Sequence, residues 1–235
     1  MSMADLRREY RLGELRRDEL AADPVAQFQK WFDQAAGARM SGRWRRLLVA
    51  LYKAIVLPSR AAPPDVNAAT LATADKEGRP SARTILLKGA DERGFIFFTN
   101  YESRKGQDLA GNPRAALVFY WADHERQVCI SGDVRKLPRE ESEAYFHSRP
   151  RNSQIAAWAS PQSQVLENRP VLEKLWQASQ ARFSGSEVPL PPGWGGYVMS
   201  PDRIEFWQGR PDRLHDRFCY RKEPGGAWLV ERLAP

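Results

Sequence analysis

The chain has 235 residues, of which 42% are hydrophobic and 11% aromatic, and its formal net charge is +7. This length and composition predict a single globular domain over residues 1–235 and exclude a disordered chain. The sequence contains no run of 18 apolar residues, which excludes a hydrophobic membrane-spanning helix. The segment Met1–Arg17 is charged and has no apolar core. We therefore expect no secretory signal and a cytoplasmic protein.

The positive charge is concentrated in one segment. Residues 41–63 contain five basic residues and no acidic one, which leaves a net charge of +2 for the rest of the chain. A basic protein can be a nucleic-acid-binding protein, but a charge this local argues against it. Cys129 and Cys219 lie in apolar, strand-like runs without metal-ligating neighbours. We therefore expect buried thiols and no metal site.

The chain begins with a charged arm, residues 1–20, that repeats the pattern Leu-Arg-Arg. Asp23 and Pro24 then predict a helix N-cap followed by proline at the first helical position, and the helix is expected to run to about Ala38. Its apolar stripe is formed by Phe28, Trp31 and Phe32.

The basic segment 41–63 follows this helix and has the pattern of an amphipathic helix. At 100° per residue, five large apolar side chains share one face: Trp44, Leu47, Leu48, Leu51 and Ile55. Such a helix can pack on its own barrel or dimer partner, bind a protein of the calmodulin type, or lie on an anionic membrane surface. An engineered insertion is a further alternative. The residues leave all four open.

After this segment the pattern changes to short strands separated by turns. Strands are predicted at Asn67–Ala74, Ser81–Leu87, Gly94–Thr99, Ala115–Trp121, Gln127–Leu137, Gly195–Met199, Arg203–Gln208, His215–Tyr220 and Trp228–Leu233. Helices are predicted from the Ser103 cap to about Gly111, at Pro138–His147 and at Asn168–Phe183. Many antiparallel strands with helices between them predict a closed barrel that is mainly β, with peripheral helices. No phosphate-binding glycine loop or nucleophile elbow is present.

Two strings carry the chemistry. The first runs from Tyr145 to Trp158 and gathers Tyr, Arg and Ser side chains, a donor set suited to a phosphate monoester, although a solvated basic helix end is the alternative. The second runs from Trp207 to Arg217 and includes His215. A third signal is Arg104 and Lys105 at a predicted helix N-terminus. Cations are disfavoured at that end of the helix dipole, so their position argues for a bound anion.

Together these strings resemble the pyridoxamine 5'-phosphate oxidase family. The resemblance extends over almost the whole chain except 41–63 and includes Leu6-Arg-Arg-Glu-Tyr10, Arg83-Thr-Ile-Leu-Leu-Lys88, Phe98-Thr-Asn100, Glu125-Arg-Gln-Val128 and Ile204-Glu-Phe-Trp-Gln-Gly209. It implies an FMN-binding split-barrel homodimer with FMN in clefts between subunits. Asp65 lies where the family often has an acidic residue, but the residues after it lack the usual proline, so its role stays open.

The resemblance also implies site residues. The expected FMN ligands are Arg83, Thr84, Ile85, Leu86, Leu87, Lys88, Phe98, Thr99, Arg104, Lys105, Gln127, Gln162, Ser163, Trp207 and Arg217. The expected substrate ligands are Arg7, Arg8, Tyr10, Lys88, Tyr145, Arg149, Ser153, Arg213, Leu214 and His215. Arg213 and His215 are the expected catalytic pair, and residues 1–20 are the expected lid. Alternation along a strand predicts that Arg83 and Lys88 point to opposite sides, and that Arg213 and His215 share one face while Leu214 points to the other.

The implied reaction is oxidation of pyridoxamine 5'-phosphate or pyridoxine 5'-phosphate to pyridoxal 5'-phosphate. FMN would accept the hydride, and O2 would reoxidise it and give H2O2. Two alternatives are kept: another flavin oxidoreductase on the same barrel, and a carrier of vitamin B6 phosphates without turnover.

Overall fold

The structure is a computed structural model that describes residues 2–5, 9–37 and 65–235. Arg7, Arg8 and the basic segment 41–63 lie outside the described residues. Within the described ranges are five α-helices: α1 (Pro24–Ala35), α2 (Arg104–Gly111), α3 (Arg139–Ser148), α4 (Arg151–Ala159) and α5 (Arg169–Arg182). The same ranges hold nine strands: β1 (Ala68–Ala74), β2 (Pro80–Leu86), β3 (Gly89–Asp91), β4 (Gly94–Asn100), β5 (Arg114–Trp121), β6 (Arg126–Lys136), β7 (Trp194–Gln208), β8 (Asp216–Lys222) and β9 (Trp228–Arg232).

The strands form one sheet in the order β2-β1-β5-β6-β7-β4-β3, and β8 and β9 continue from β7. Strand β7 is antiparallel to β4 through its first half and antiparallel to β8 through its second half. Strands β3 and β4, like β8 and β9, are also antiparallel pairs. This antiparallel sheet with helices inserted between its strands confirms the predicted fold class.

Most predicted elements are found within a few residues of their expected ends, because their local signals are strong. Asp23 caps α1 by accepting a 2.8 Å hydrogen bond from the Ala26 N–H, with Pro24 in the first turn. Ser103 caps α2 in the same way by accepting from the Gly106 N–H. The α1 helix ends at Ala35, three residues before its expected end at Ala38.

Four expectations about the elements were wrong or incomplete. The two strands predicted between residues 195 and 208 are one strand, β7. Pro201 lies between the last residue that pairs with β4, Met199, and the first that pairs with β8, Arg203, so its missing N–H interrupts neither ladder. The α4 helix, the short strand β3 and the turn before β8 were not predicted as such.

The chain divides into two compact units. The terminal unit comprises the described parts of Met1–Thr70 with Leu117–Ile130 and Asp202–Pro235. Its core is aromatic: Phe28 of α1 packs edge-on against Phe119 of β5 with ring centroids 5.0 Å apart, and Trp31 packs on Phe206 at 5.2 Å. The predicted stripe of α1 is therefore the face that it buries.

The central unit comprises Leu71–Ala116 and Ser131–Pro201. One part of its core lies on the sheet, where Phe97 of β4 packs against Tyr197 of β7 with ring centroids 5.6 Å apart. A second part joins the helices to the start of β7 and consists of buried apolar residues: Phe146, Ile155, Phe183, Val188, Leu190 and Trp194. This second cluster fixes the ends of α3 and α4, where the phosphate-type donor set lies.

Candidate active site

A groove of about 630 Å³ lies within the central unit, and we call it the central groove. Strands β2 and β4 supply one part of its lining and helices α3 and α4 another. Its lining residues include Thr84, Ile85, Leu86, Lys88, Phe98, Thr99, Lys105, Tyr145, Arg149, Ser153, Gln162 and Trp194. The groove therefore brings together many of the residues that the sequence assigns to two different phosphate groups.

Lys105, in the first turn of α2, lines the central groove. Its ammonium group is buried and donates to Thr99 Oγ1 at 3.0 Å, to Ser103 Oγ at 3.1 Å and to Gln162 Oε1 at 3.0 Å. All three acceptors are neutral oxygens. Burial, with a further contribution from the nearby charge of Arg83, lowers the pKa of Lys105 to about 8. A bound anion would offset this cost, so the geometry fits a phosphate ligand.

Arg83 lies on the other face of β2 and does not line the central groove. Its guanidinium donates to Thr73 Oγ1 at 2.7 Å, to the Leu71 carbonyl at 3.2 Å and to the Ser81 hydroxyl. The Asp108 carboxylate lies 3.7 Å away. This agrees with the expectation that Arg83 and Lys88 point to opposite sides. Direct contact between Arg83 and a cofactor stays a prediction.

Arg104 and Ser163 line a neighbouring depression of about 520 Å³, and Gln162 lines both hollows. Ser163 has a positive φ of 72°, which turns the chain sharply beside Gln162. Leu87 is 6% exposed and does not line the groove, so its side chain belongs to the core. Of the predicted β2 cluster, Thr84, Leu86 and Lys88 offer their side chains on the exposed face.

Arg149, between α3 and α4, also lines the central groove. Its guanidinium lies over the Trp194 ring, 4.8 Å from the centroid, and 5.6 Å from that of Phe146. The Nη1 atom is buried and has no hydrogen-bond partner among the described residues. Burial lowers the pKa of this arginine. A buried cationic nitrogen without an acceptor costs free energy unless a ligand supplies one.

Tyr145 stands beside this cation in an aromatic stack. Its ring is stacked on Phe98 with centroids 3.9 Å apart, and Phe98 is stacked on Trp194 at 5.6 Å. Ser153 lines the groove from the first turn of α4. Arg151, by contrast, donates to the carbonyls of Phe183 and Ser186 and serves to fix the loop after α5.

A second group of predicted residues lies in the terminal unit, and we call Tyr10, Trp207 and His215 the terminal ring cluster. The ring centroids of Tyr10 and Trp207 are 5.4 Å apart, those of Tyr10 and His215 are 5.6 Å apart, and those of Trp207 and His215 are 4.7 Å apart. Gly209 allows this packing, because a Cβ there would lie 2.7 Å from Cγ of Tyr10.

The tautomer of His215 follows from its hydrogen bond. The Arg210 N–H donates to His215 Nδ1 at 3.1 Å, so Nδ1 is an acceptor and the neutral ring carries its proton on Nε2. Burial lowers the pKa of His215, and the charges of Arg213 and Arg217 lower it further. At neutral pH the ring is therefore neutral and can donate from Nε2.

The expectation that Arg213 and His215 share one face of a strand was wrong. Residues Pro211–Arg213 form a 3-10 turn, and β8 begins at Asp216. Asp212 and Arg213 have φ values of 55° and 62°, because the chain reverses direction before β8. Arg213 and Leu214 are consequently exposed, and Leu214 is 69% exposed.

The remaining predicted ligands of the terminal unit have partners of their own. Arg217 donates to Glu205 Oε1 at 2.9 and 2.8 Å and to the Ala234 carbonyl at 2.7 Å. Gln127 donates from Nε2 to Cys129 Sγ at 3.3 Å. Cys219 is buried and Cys129 half-buried, and burial raises the pKa of both thiols.

Sequence reasoning missed Trp194, which lines the central groove and lies under Arg149. It also missed Glu205, the partner of Arg217. Neither residue carries a local signal, because both contacts join positions far apart in the chain. No cluster of three His, Cys, Asp or Glu side chains suited to a metal ion occurs within the described residues. None of the described helices is long and apolar enough to cross a membrane.

Solved structures place the fold in the split-barrel class. PhzG from Burkholderia lata 383, solved with tetrahydrophenazine-1-carboxylic acid, is 30% identical with a TM-score of 0.77, over 93% of this chain and 95% of its own. A pyridoxamine 5'-phosphate oxidase-related, FMN binding protein from Nostoc punctiforme has the same fold, with a TM-score of 0.59 at 17% identity over 83% of this chain and 98% of its own.

Sequence comparison then gives the family. Residues 59–181 match the family model described as pyridoxamine 5'-phosphate oxidase, and residues 194–235 match the pyridoxine 5'-phosphate oxidase C-terminal dimerisation region. Pyridoxine/pyridoxamine 5'-phosphate oxidases of Cupriavidus necator and Salinibacter ruber are 50% and 51% identical over 99% of this chain and 99% of their own. The chain belongs to the pyridoxamine 5'-phosphate oxidase family, which confirms the resemblance found in the sequence.

Proposed function

We propose that this protein oxidises pyridoxamine 5'-phosphate and pyridoxine 5'-phosphate to pyridoxal 5'-phosphate as an FMN-dependent homodimer. When bound, FMN would accept a hydride from the C4' carbon of the substrate, and O2 would take up the electron pair with two protons to give H2O2. With the amine substrate, the imine that forms is hydrolysed to the aldehyde and ammonia. The protein's own residues bind and orient the two phosphorylated partners.

The observation that carries this proposal is that one groove is lined by two cations, neither of which has an anionic hydrogen-bond partner among the described residues. Lys105 has only neutral acceptors, and Arg149 has a buried nitrogen without a partner in the same part of the chain. Two such cations fit two phosphorylated ligands, a cofactor and a substrate. A phosphate monoester carries about 1.5–2 negative charges at neutral pH, which would offset the burial of each cation.

We assign the FMN phosphate to Arg83, Arg104 and Lys105, with Gln162 and Ser163 as polar contacts. The N-terminus of α2 contributes the positive end of the helix dipole. These features explain why two cations follow Ser103, where the dipole alone would disfavour them.

We assign the substrate phosphate to four residues of the same groove: Lys88, Tyr145, Arg149 and Ser153. The Arg149 guanidinium lies 4.8 Å from the Trp194 ring centroid, and this contact restricts the side chain whose N–H groups would donate to an oxyanion. The hydroxyls of Tyr145 and Ser153 add neutral donors. Recognition of the phosphate would therefore depend on a fixed geometry as well as on charge.

The terminal unit is assigned to the rings of the two ligands. Trp207, Gln127 and Arg217 are proposed to contact the isoalloxazine. Arg213 and His215 are proposed to contact the pyridine ring, where the Nε2–H of neutral His215 donates to the phenolic oxygen. Arg7, Arg8 and Tyr10 belong to the arm that covers the substrate. The FMN sites are proposed to lie in the clefts between the subunits of the homodimer.

A second candidate function has one specific observation in its favour. A solved structure 30% identical to this chain, PhzG, was determined with a tricyclic carboxylic acid, so a flavin oxidoreductase with a different substrate is the rival. The donor set around Arg149 favours a phosphate ester over a tricyclic acid. The non-catalytic carrier is the remaining alternative.

The experiment combines two measurements on the purified protein. Its absorbance spectrum should show bound flavin, and H2O2 should form with pyridoxamine 5'-phosphate and pyridoxine 5'-phosphate. Pyridoxamine without the phosphate is the matched control and should react far more slowly. Flavin without peroxide would support the carrier. Equal rates with and without the phosphate would contradict the assignment of Arg149 and favour the other oxidoreductase.

A further inference from the structure

Glu125 has an unusual combination of backbone and side-chain properties. It precedes β6 with a left-handed backbone, φ 52° and ψ 41°, and it is only 3% exposed. Carboxylates are rarely buried to this extent unless hydrogen bonds satisfy them. The function proposed above uses Gln127 of the same motif and leaves Glu125 without a role.

The carboxylate of Glu125 binds the N-terminal arm. Its Oε2 accepts a 2.7 Å hydrogen bond from the Arg11 N–H and a 2.9 Å hydrogen bond from the Leu12 N–H. The two donors lie more than 100 residues earlier in the chain, and this stretch of the arm has no regular secondary structure. A charged acceptor thus satisfies backbone groups that no strand or helix pairs.

The backbone carbonyl of Glu125 binds the end of β7. It accepts from the Gly209 N–H at 2.8 Å and from Gln208 Nε2 at 3.2 Å, so Glu125 connects β7 to the arm that its carboxylate holds. Two further contacts hold the arm: the Leu15 N–H donates to Asp216 Oδ2 at 3.1 Å, and Arg210 Nη1 donates to the Gly13 carbonyl at 3.0 Å. Of these hydrogen bonds, the two to the Glu125 carboxylate lie nearest to Tyr10 along the chain.

Tyr10 immediately precedes the anchored N–H groups, and its ring packs edge-on against Trp207 and His215. The position of that ring depends on where the backbone of Arg11 and Leu12 is held. Because His215 is fixed from the other side by the Arg210 N–H, the anchor and the Tyr10 ring together define the space left for His215.

We propose that Glu125 is a positioning residue that anchors the arm at Arg11 and Leu12 and thereby holds Tyr10 against Trp207 and His215. This inference rests on the proposed function for its kinetic consequence, since the arm and His215 are assigned to the substrate. The anchoring itself is a property of the terminal unit and can be measured without turnover.

The test compares Glu125→Ala and Glu125→Gln in the full-length holoprotein. Both substitutions keep a non-glycine residue at the left-handed position, so the comparison isolates the side chain. Alanine removes both hydrogen bonds, whereas glutamine keeps a neutral oxygen acceptor of the same length. Glu19→Gln is the matched control, because it removes an exposed carboxylate of the same arm that lies in the turn Arg17–Glu19, beyond the anchored amides.

Hydrogen exchange at the Arg11 and Leu12 amides is the primary measurement. We expect exchange to accelerate about tenfold or more in Glu125→Ala, by less in Glu125→Gln, and not at all in Glu19→Gln. For the kinetics we expect kcat/KM for pyridoxamine 5'-phosphate to fall in the same order while the flavin-to-protein ratio stays constant.

Unchanged exchange in Glu125→Ala would overturn the proposal, as would a glutamine variant that behaves like alanine in both measurements. Accelerated exchange with unchanged kcat/KM would overturn the link from the anchor to His215. If the alanine variant does not fold by circular dichroism, the graded response of Glu125→Gln decides. A protein without oxidase activity would refute the proposed function, and the exchange data would still test the anchor.

Discussion

Lys105 and Arg149 of the central groove have no carboxylate among their hydrogen-bond partners in the described chain, whereas Arg210 and Arg217 of the terminal unit are paired with Glu14, Asp216 and Glu205. The two groove cations would therefore gain acceptors from an external anion. In the terminal unit these two arginines are neutralised within the protein, and the terminal ring cluster packs in the same unit. This difference supports the proposed division between phosphate contacts and ring contacts.

The largest effect is expected from removing Lys105, the groove cation that we assign to the cofactor phosphate. Lys105→Ala should release FMN during purification, because a charge-assisted contact contributes about 1.5–3 kcal/mol, equivalent to roughly tenfold to a hundredfold in affinity. The flavin-to-protein ratio after gel filtration measures this. Lys174→Ala, which removes an exposed lysine of α5 that lines neither hollow, is the control. Stoichiometric FMN in a folded Lys105→Ala protein at moderate salt would refute the assignment.

A comparable effect is expected from removing Arg149, but on substrate binding rather than on cofactor binding. Arg149→Ala should raise KM for pyridoxamine 5'-phosphate by roughly tenfold to a hundredfold, with FMN content unchanged. Arg149→Lys should be intermediate, because lysine keeps the charge but loses the planar fork over Trp194. Steady-state kinetics in the presence of saturating FMN measure both. An equal loss with unphosphorylated pyridoxamine would show that Arg149 does not read the phosphate.

Arg213 and His215 of the terminal unit should respond differently, because their substitution should reduce turnover without loss of flavin. Arg213→Gln and His215→Gln should each lower kcat/KM through slower anaerobic flavin reduction, measured by stopped flow. Normal reduction rates in both variants would remove the pair from the active site. If both variants retain FMN while Lys105→Ala releases it, the two regions differ in function as proposed.

The lowered pKa of Lys105, about 8, predicts a pH dependence of cofactor binding. A bound phosphate would raise this pKa, so binding above pH 8 requires proton uptake, and FMN affinity should fall as pH rises through about 8. Fluorescence titration of the apoprotein between pH 7 and 9 measures this. In Lys105→Arg the dependence should disappear, because arginine stays protonated. The same slope in both proteins would assign the titration to another group.

A smaller effect is expected on His215 itself. Its pKa lies below the usual value because of burial first and of Arg213 and Arg217 second. Arg213→Gln removes one of these charges and should raise the pKa of His215 by a fraction of a unit, which NMR titration of the ring can detect. An unchanged pKa would mean that Arg213 points away from His215 in solution.

The smallest effect on chemistry is expected from deleting residues 41–63. The two family matches cover residues 59–181 and 194–235 and leave most of this segment out. The deletion should preserve FMN content and turnover, while oligomer size or binding to anionic vesicles or calmodulin changes. Loss of flavin and activity would instead make the segment part of the active site.

Local sequence signals were sufficient to predict the elements and the residue types of the site. Alternating apolar residues gave the strands, and Asp23 and Ser103 marked helix starts, because these signals act within a few residues. The placement of Arg104 and Lys105 at a helix N-terminus already indicated an anion. The family resemblance supplied the reaction and the roles, which composition and spacing could not have given.

Which side chains contact one another could be seen only in the folded structure. The stacking of Arg149 on Trp194, the pairing of Arg217 with Glu205 and the anchoring of the arm by Glu125 join residues far apart in the chain. It also decided that Arg213 lies in a left-handed turn rather than on a strand. Such contacts depend on strand pairing and packing, which sum many weak terms over the whole chain, and no local pattern encodes them.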